Sequence, residues 1–286
     1  MFDLTGFTGS RRLPLIMGII NVSGESFSEG SASAAESGLS RALEKLDAGA
    51  DLLDIGGEST RPGASEVEPA EEIRRVVPLI VRLKQLRPET VISVDTRHGE
   101  TARAALEAGA EIINDVSMLR CDPSIAEAVA ARGAALILSH SRGTPENMMS
   151  PEWCRYPDGT AKTVAAELRA AAKAAMAAGV AEERIILDPG IGFAKTAEQC
   201  WEVLADLAEI APLPKLLVGI SRKSFLGALT GEKDPAKRGS ETLAVELMLA
   251  AEGVGMIRTH DVAALRRGLT AAEKMRSSQG HVVADH

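Results

Sequence analysis

The sequence predicts a single closed (β/α)8 barrel of the TIM type, an α/β architecture. Three observations predict it. Eight short apolar runs alternate with helix-like stretches. Each run ends in a polar residue of a kind that binds ligands. The 286 residues carry no linker or shift of composition and suit one such barrel. An open doubly wound sheet shares the alternation, but eight consecutive strand–helix units favour closure. In a barrel the C-terminal strand ends meet at one mouth. Polar residues scattered from Asn21 to His260 are therefore expected to converge there.

Strand one is Ile16–Ile20, followed by Asn21 and a Gly- and Ser-rich loop containing Phe27. Ser33 and Glu36 read as a capping box ahead of Leu39, Ala42, Leu43 and Leu46, which share one helical face. Gly49-Ala50-Asp51 leads into strand two, Leu52–Ile55, which carries Asp54 and opens the loop GGESTRPGA with Thr60 and Arg61. Glu68-Pro69 puts proline at a first helical position before Ile73, Val76, Val77 and Ile80. Strand three, Val91–Val94, ends at Asp95. Gly109-Ala110-Glu111 repeats the earlier helix exit, and strand four, Glu111–Ile113, ends at Asn114. Asp122-Pro123 starts the next helix.

Strand five, Ala134–Leu138, gives onto His140, Arg142 and a long loop from Ser141 to Asp158. An Ala-rich helix from about Thr163 stops at Gly179, a C′ glycine. Strand six, Arg184–Leu187, ends at Asp188, and Thr196 with Gln199 forms a second capping box. Strand seven, Lys215–Val218, precedes Ser221, Lys223 and Ser224. The broadly apolar helix Leu243–Ala251 precedes strand eight, Gly255–Ile257, with Arg258 and His260 beyond it. The barrel domain is placed at 1–276, with 277–286 a frayed polar tail.

Composition narrows the function. Apolar content of 45% against 25% charged supports a large core and excludes a disordered chain. One Tyr, two Trp and five Phe leave no aromatic platform for nucleotide bases. A net charge of −8 argues against nucleic acid as partner. Cys121, Cys154 and Cys200 lack metal-like spacing and read as reduced thiols in a cytoplasmic protein. No stretch approaches the ~18 apolar residues that span a membrane.

Two constellations carry chemistry. Thr60-Arg61, Arg258 and His260 supply guanidinium forks, a hydroxyl and an imidazole from separate strands, a set that suits a diphosphate. Asn21 is a neutral oxygen ligand that suits Mg²⁺ when phosphate and water fill the remaining positions. Singly, each arginine reads as a surface ion pair and His260 as a structural histidine; jointly they read as an anion site. Asp95, Asn114 and Asp188 each end a buried strand, and a buried carboxylate needs a partner. An amino-pyrimidinone ring edge supplies adjacent N–H donors, and Asn114 both donates and accepts. The alternative is pairing of these acids with a barrel-interior lysine or with backbone. Ser221-Arg-Lys-Ser224 follows no nucleophile elbow, and no Walker, GxGxxG or zinc motif occurs.

The stretches MGIINVSGESFSEGS, DLLDIGGESTRPGA, ISVDTR, IINDV, ILDPGIGFAKT, VGISRKSFLG and RTHDV, in that order and spacing, resemble the dihydropteroate synthase family from about Leu15 to Leu269. The resemblance implies a transferase that joins 6-hydroxymethyl-7,8-dihydropterin diphosphate to p-aminobenzoate in folate biosynthesis, with Mg²⁺. It implies that Asp95, Asn114, Asp188 and Lys223 bind the pterin. Asn21, Thr60, Arg61, Arg258 and His260 would take the diphosphate, with Asn21 on the metal. Phe27, Phe193 and Ser224 would border the p-aminobenzoate pocket. Asp95, Lys223 and Arg258 would act in catalysis. The family also implies a cytoplasmic homodimer joined through its last helices, and a sulfonamide target.

The chain departs from the family's pattern twice. Ser23-Gly24-Glu25 stands where the family has T-P-D, and a glycine there loosens the loop. Ser139-His140-Ser141 stands where it often has M-H-M, making the wall beside the pterin smaller and more polar. Three other readings remain: a pterin-binding methyltransferase barrel, which has no use for Thr60-Arg61 or RTHD, a pterin-binding paralogue without turnover, and a sulfonamide-insensitive synthase.

Overall fold

The computed structural model describes Leu4 and residues 13–22, 31–58, 63–64 and 66–279, with side chains described from residue 36 onward in the first helix. Phe27, Thr60, Arg61 and the Ser23-Gly24-Glu25 departure lie outside the described residues, as do residues 280–286.

The described elements run β1 (Leu15–Asn21), α1 (Ser31–Asp47), β2 (Leu52–Gly56), α2 (Pro69–Leu86), β3 (Val91–Asp95), α3 (Gly99–Ala108), β4 (Ile112–Asp115), α4 (Ser124–Arg132), β5 (Ala135–Ser139) and α5 (Thr160–Ala177). They continue with β6 (Ile185–Asp188), α6 (Ala197–Ala205), α7 (Leu207–Ile210), β7 (Leu217–Val218), α8 (Ser224–Thr230), α9 (Gly239–Glu252), β8 (Met256–Thr259) and α10 (Val262–Gln279). All strand pairs are parallel, in the order β6-β5-β4-β3-β2-β1-β8-β7. A parallel bridge between Leu187 and Leu216 joins the two edges. The sheet closes on itself as the (β/α)8 barrel expected from the sequence.

The period-two alternation of each strand sorts side chains into two cores. Leu15, Met17, Leu52, Ile112, Ala135, Ile137, Ile186, Leu217 and Met256 cluster with Leu4 inside the barrel. Ile16, Leu53, Ile92, Ile113, Leu136, Val218 and Ile257 face outward into the helices. Two residues further along the inward face, the type changes: Leu52 gives way to Asp54, Ile112 to Asn114, Ile137 to Ser139, Ile186 to Asp188, and Met256 to Arg258. The lower barrel is sealed with hydrocarbon and its mouth is lined with polar groups. Strand register sets those groups side by side, pairing Asp95 with Asn114 and Ser139 with Asp188.

Local signals fix most boundaries. Thr196 and Gln199 form the expected capping box, with both reciprocal bonds at 3.3 and 2.8 Å. Pro69 opens α2, and Gly179 follows α5 with φ of +100°. The two similar helix exits do the same work. Asp51 accepts the Ile16 N–H and Glu111 accepts the Ile92 N–H, each at 2.9 Å, so each carboxylate ties its own strand entrance to the preceding strand. Three expectations shift. α1 starts at Ser31, two residues before the Ser33 expected at its cap. α4 starts at Ser124, because the Asp122 carboxylate accepts the Ser124 N–H at 3.0 Å and Pro123 takes the cap position. α10 continues through Gln279, past the boundary drawn at 276.

Glu246 of α9 is 1% exposed, with its Oε1 unpartnered. Burial pushes its carboxyl up to about 8, against a hydrogen bond from Thr259. The folded state therefore holds this proton more tightly than the unfolded chain, and stability falls as pH rises between the ordinary carboxylate range and about 8. Glu246→Gln is expected to flatten that decline, with a difference from the parent of at most a few kcal/mol at pH 8. Thermal unfolding of both proteins at pH 5 and pH 8 checks it; parallel declines would refute the assignment.

Candidate active site

A continuous polar chain crosses the mouth. The Arg258 guanidinium forks between two buried carboxylates, with Nε 2.6 Å from Asp54 Oδ2 and a terminal nitrogen 3.0 Å from Asp95 Oδ2. Asn114 donates its amide N–H to Asp54 Oδ2 at 3.1 Å. The Ser139 hydroxyl lies 3.2 Å from Asn114 Oδ1 and 2.9 Å from Asp188 Oδ2. Asp188 Oδ1 accepts the Gly190 N–H at 2.8 Å. Gly190 has φ of +62°, and a Cβ there would lie 1.8 Å from the His140 carbonyl oxygen, so the DPGIG turn tolerates only glycine at this point.

Two acceptors in this chain lack partners. Asp54 Oδ1 and Asp95 Oδ1 are buried and find no hydrogen-bond partner among the described residues. A buried acceptor left unpaired costs ~1–3 kcal/mol, which a ligand's N–H donors can recover. Charge is unbalanced in the same direction. Burial pushes the Asp95 carboxyl up to about 8; Arg258 opposes the rise and Asp54 adds to it. Burial opposes the charge on Arg258, but Asp54 and Asp95 outweigh it and hold the guanidinium charged. One guanidinium serving two carboxylates leaves room for another cation or a set of donors.

Lys223 stands on the far wall. Its ammonium donates to the Ile191 carbonyl and sits 4.6 Å from the centre of the Phe193 ring, a cation–π contact. Burial lowers it to about 8, while Asp188 pulls the other way. Ser224 follows, exposed, as the first residue of α8. His260 Nδ1 lies 3.0 Å from Ser221 Oγ, which also accepts the His260 N–H at 3.1 Å. Asn21 is exposed at the end of β1, and its carbonyl accepts a bond from Arg41 at 3.1 Å.

The structure therefore joins Asp95, Asn114, Asp188 and Arg258 in one network, with Lys223 and Phe193 beside it. It also brings Arg258, expected among the diphosphate ligands, up to the acids, where it pairs with Asp54 and Asp95. His140 and Arg142, expected at the mouth as ligand-binding residues, serve the scaffold instead. Arg142 pairs with Glu167 and stacks 4.1 Å over Tyr156. His140 is buried, and desolvation and then Lys195 pull it down to about 3. Its Nε2 lies 2.9 Å from Glu167 and its Nδ1 2.9 Å from Lys195 Nζ.

Sequence reasoning passed over Lys195, and it placed Asp54 at the mouth and Ser139 on the wall beside the pterin without giving either a bonding role. Lys195, 2% exposed, matches its three donors to His140 Nδ1, the Gly190 carbonyl and the Phe193 carbonyl. It thereby fixes the turn that carries Asp188 and Phe193. Its sole signal was a lysine in an otherwise apolar GFAKT segment. Asp54 is legible as the polar residue at an inward position of an apolar strand. Beside Phe193 a cavity of about 310 Å³ opens, lined also by Arg97, Ser117, Arg120, Ser141 and Trp153.

Comparison with known proteins agrees with this geometry. A family described as pterin binding enzyme matches residues 17–260. Dihydropteroate synthase of Escherichia coli K12 is 41% identical over 252 residues, 87% of each chain. Folic acid synthesis protein fol1 of Schizosaccharomyces pombe is 38% identical over 267 residues; the match covers 92% of this chain and 36% of that longer protein. The structure of Xanthomonas albilineans dihydropteroate synthase with 4-aminobenzoic acid superposes with a TM-score of 0.83 at 39% identity, covering 92% of this chain and 93% of that one. The same enzyme in complex with 7,8-dihydropteroate gives 0.80 at 36% identity, over 92% and 94%. With sequence match, barrel and polar mouth all in agreement, the chain belongs to the dihydropteroate synthase family of pterin-binding enzymes.

Proposed function

We infer that the protein condenses 6-hydroxymethyl-7,8-dihydropterin diphosphate with p-aminobenzoate, giving 7,8-dihydropteroate and diphosphate, and so acts as a transferase of folate biosynthesis. The observation that carries this reading is the pair of unpartnered buried oxygens, Asp54 Oδ1 and Asp95 Oδ1, beside Asn114 and Asp188. A flat ring with adjacent N–H donors satisfies them; a substrate rich in acceptors does not. In the reaction the pterin methylene–oxygen bond breaks and diphosphate leaves with the bonding pair. The arylamine nitrogen then bonds to that carbon and releases a proton. Positive charge develops on the ring, where Asp95 stabilises it. Arg258, His260, Thr60 and Arg61 hold the leaving group, Lys223 lies against the ring edge, and Phe27, Phe193 and Ser224 border the amine. No strong nucleophile or base is required.

Mg²⁺ suits the leaving group through Asn21. That side chain is exposed and offers one neutral oxygen. Among the described residues, the clusters of acidic and soft metal ligands lie elsewhere. An ion at Asn21 would therefore be held chiefly by diphosphate and water, as Mg²⁺ prefers, and when bound it would supply charge neutralisation. A homodimer through the last helices is supported by the exposed Met248 on α9 and Met275 on α10, 68% and 61% exposed. No described helix is long and apolar enough to cross a membrane. Sulfonamides, as p-aminobenzoate mimics, are expected to compete in the same pocket.

The test is release of diphosphate from the pterin diphosphate, measured with and without p-aminobenzoate and then with a sulfonamide. Release that depends on p-aminobenzoate is expected. Release absent in both conditions, with intact pterin binding, would favour the paralogue without turnover.

A further inference from the structure

We propose that the protein carries a second metal site, for a soft divalent cation of the Zn²⁺ or Co²⁺ type, built by Glu66, His98 and Cys121. The three donors come from three different strand-end segments, after β2, β3 and β4. Because the donors are dispersed in this way, cysteine spacing along the chain does not reveal the site. A Glu66 carboxylate oxygen, a His98 ring nitrogen and Cys121 Sγ all lie within 4.8 Å of one another. His98 Nε2 and Glu66 Oε1 are 3.7 Å apart. Two ligands on a tetrahedral Zn²⁺, with bonds of ~2.0–2.3 Å, stand roughly 3.3–3.8 Å apart.

The site is supported from behind. His98 Nδ1 lies 3.2 Å from Glu72 Oε2, and Glu72 is wholly buried. Thr96 Oγ1 donates to the same oxygen at 2.7 Å. A carboxylate on Nδ1 holds the proton there and turns Nε2, with its lone pair, toward the other two donors; metal-binding histidines are oriented in this way. Cys121 is presented by a turn in which Met118 and Leu119 both have positive φ, 57° and 62°. The Asp115 carboxylate holds that turn by accepting the N–H groups of Ser117 and Leu119. Arg97 is the competing cation, at 3.9 Å from Glu66, but its terminal nitrogen is 2.7 Å from Glu58 and belongs to that pair.

The donor set selects the metal. A thiol, an imidazole and one carboxylate favour Zn²⁺ or Co²⁺ over the hard Mg²⁺. On binding, the Cys121 S–H proton and any proton on His98 Nε2 pass to solvent, and S–metal and N–metal bonds form. Thiolate and carboxylate together neutralise the ion, with water completing the shell. The ion would tie Glu66 to the segments that follow β3 and β4.

The test titrates Co²⁺ alone into the full chain and follows the absorption spectrum. We expect about one ion per chain, with a thiolate-to-cobalt charge-transfer band and the visible bands of four-coordinate cobalt. Zn²⁺ should displace it and millimolar Mg²⁺ should not. Cys121→Ser should abolish the charge-transfer band, while Cys154→Ser retains it. Glu66→Gln should weaken cobalt binding at least ~10-fold. Cys121 and Glu66 are exposed, so both variants are expected to fold, which circular dichroism verifies. No thiolate band in the parent protein, or a band that survives Cys121→Ser, overturns the site.

Discussion

Arg258→Ala is expected to lower kcat/KM by ~10²–10³-fold, the usual cost of removing one preorganised group that stabilises transition-state charge. It should also remove most of the rise in melting temperature that diphosphate with Mg²⁺ gives the parent protein, since a ligand stabilises only the state it binds. The structure adds a third consequence. Arg258 bonds to both Asp54 and Asp95, and neither of these hydrogen-bonds to another charged partner. Deleting it leaves two buried carboxylates facing each other, and an uncompensated buried charge costs ~3–5 kcal/mol. Asp95, already pushed up to about 8 by burial, would then hold its proton more tightly still. A carboxyl raised in the folded state contributes stability at low pH that is lost as pH rises toward its folded value. The variant should therefore regain part of its stability on acidification from pH 8 to pH 5, more than the parent does. Arg258→Lys should restore charge but not the fork, recovering stability better than turnover. An unchanged diphosphate-induced shift in Arg258→Ala, at millimolar diphosphate and Mg²⁺, would refute the assignment.

The double role of Arg258 marks where sequence reading stopped. A strand-end arginine beside His260 reads as an anion ligand, and a strand-end aspartate reads as a ring ligand. That the two meet depends on register across a closed barrel. Asp54 and Arg258 are far apart in the chain, and only the adjacency of β1 to both β2 and β8 brings them into reach. The barrel itself was legible because its determinants are local: apolar runs of strand length, proline and capping-box starts, and glycine exits. Helix starts slipped by one or two residues where side chains competed, as at Asp122 and Pro123. Lys195 was illegible for a different reason. A buried lysine is stabilised only by its three acceptors, two of which are backbone carbonyls in a turn of unusual geometry. Residue types alone do not reveal where carbonyls point. Ser139 is intermediate. Its departure from the family's pattern was visible, but its effect was not: the hydroxyl bridges Asn114 and Asp188 and stiffens the acceptor row.

That bridge determines the outcome of Asp188→Asn. The substitution is nearly isosteric, and the network can absorb it. The new amide oxygen can keep the Gly190 N–H, now accepted by Asp188 Oδ1 at 2.8 Å. The new amide N–H₂ would then face Ser139, whose hydroxyl can accept that bond and donate to Asn114 Oδ1, 3.2 Å away. Folding stability should accordingly change by less than ~1 kcal/mol, since no buried group is left unpaired. The pterin meets a different surface. Where a carboxylate oxygen received a ring N–H, an N–H now opposes it, and one charge that helped hold Lys223 protonated is gone. Loss of a hydrogen bond to a charged group, with a donor left unpaired, costs ~2–3 kcal/mol, or roughly 30- to 150-fold in pterin affinity. Calorimetric titration with the pterin and thermal unfolding of the free proteins separate the two effects. Weak pterin binding with a parent-like melting temperature is the expected pair. Parent-like affinity would remove Asp188 from the ring contacts, and a large fall in melting temperature would show that its main work is to hold the DPGIG turn.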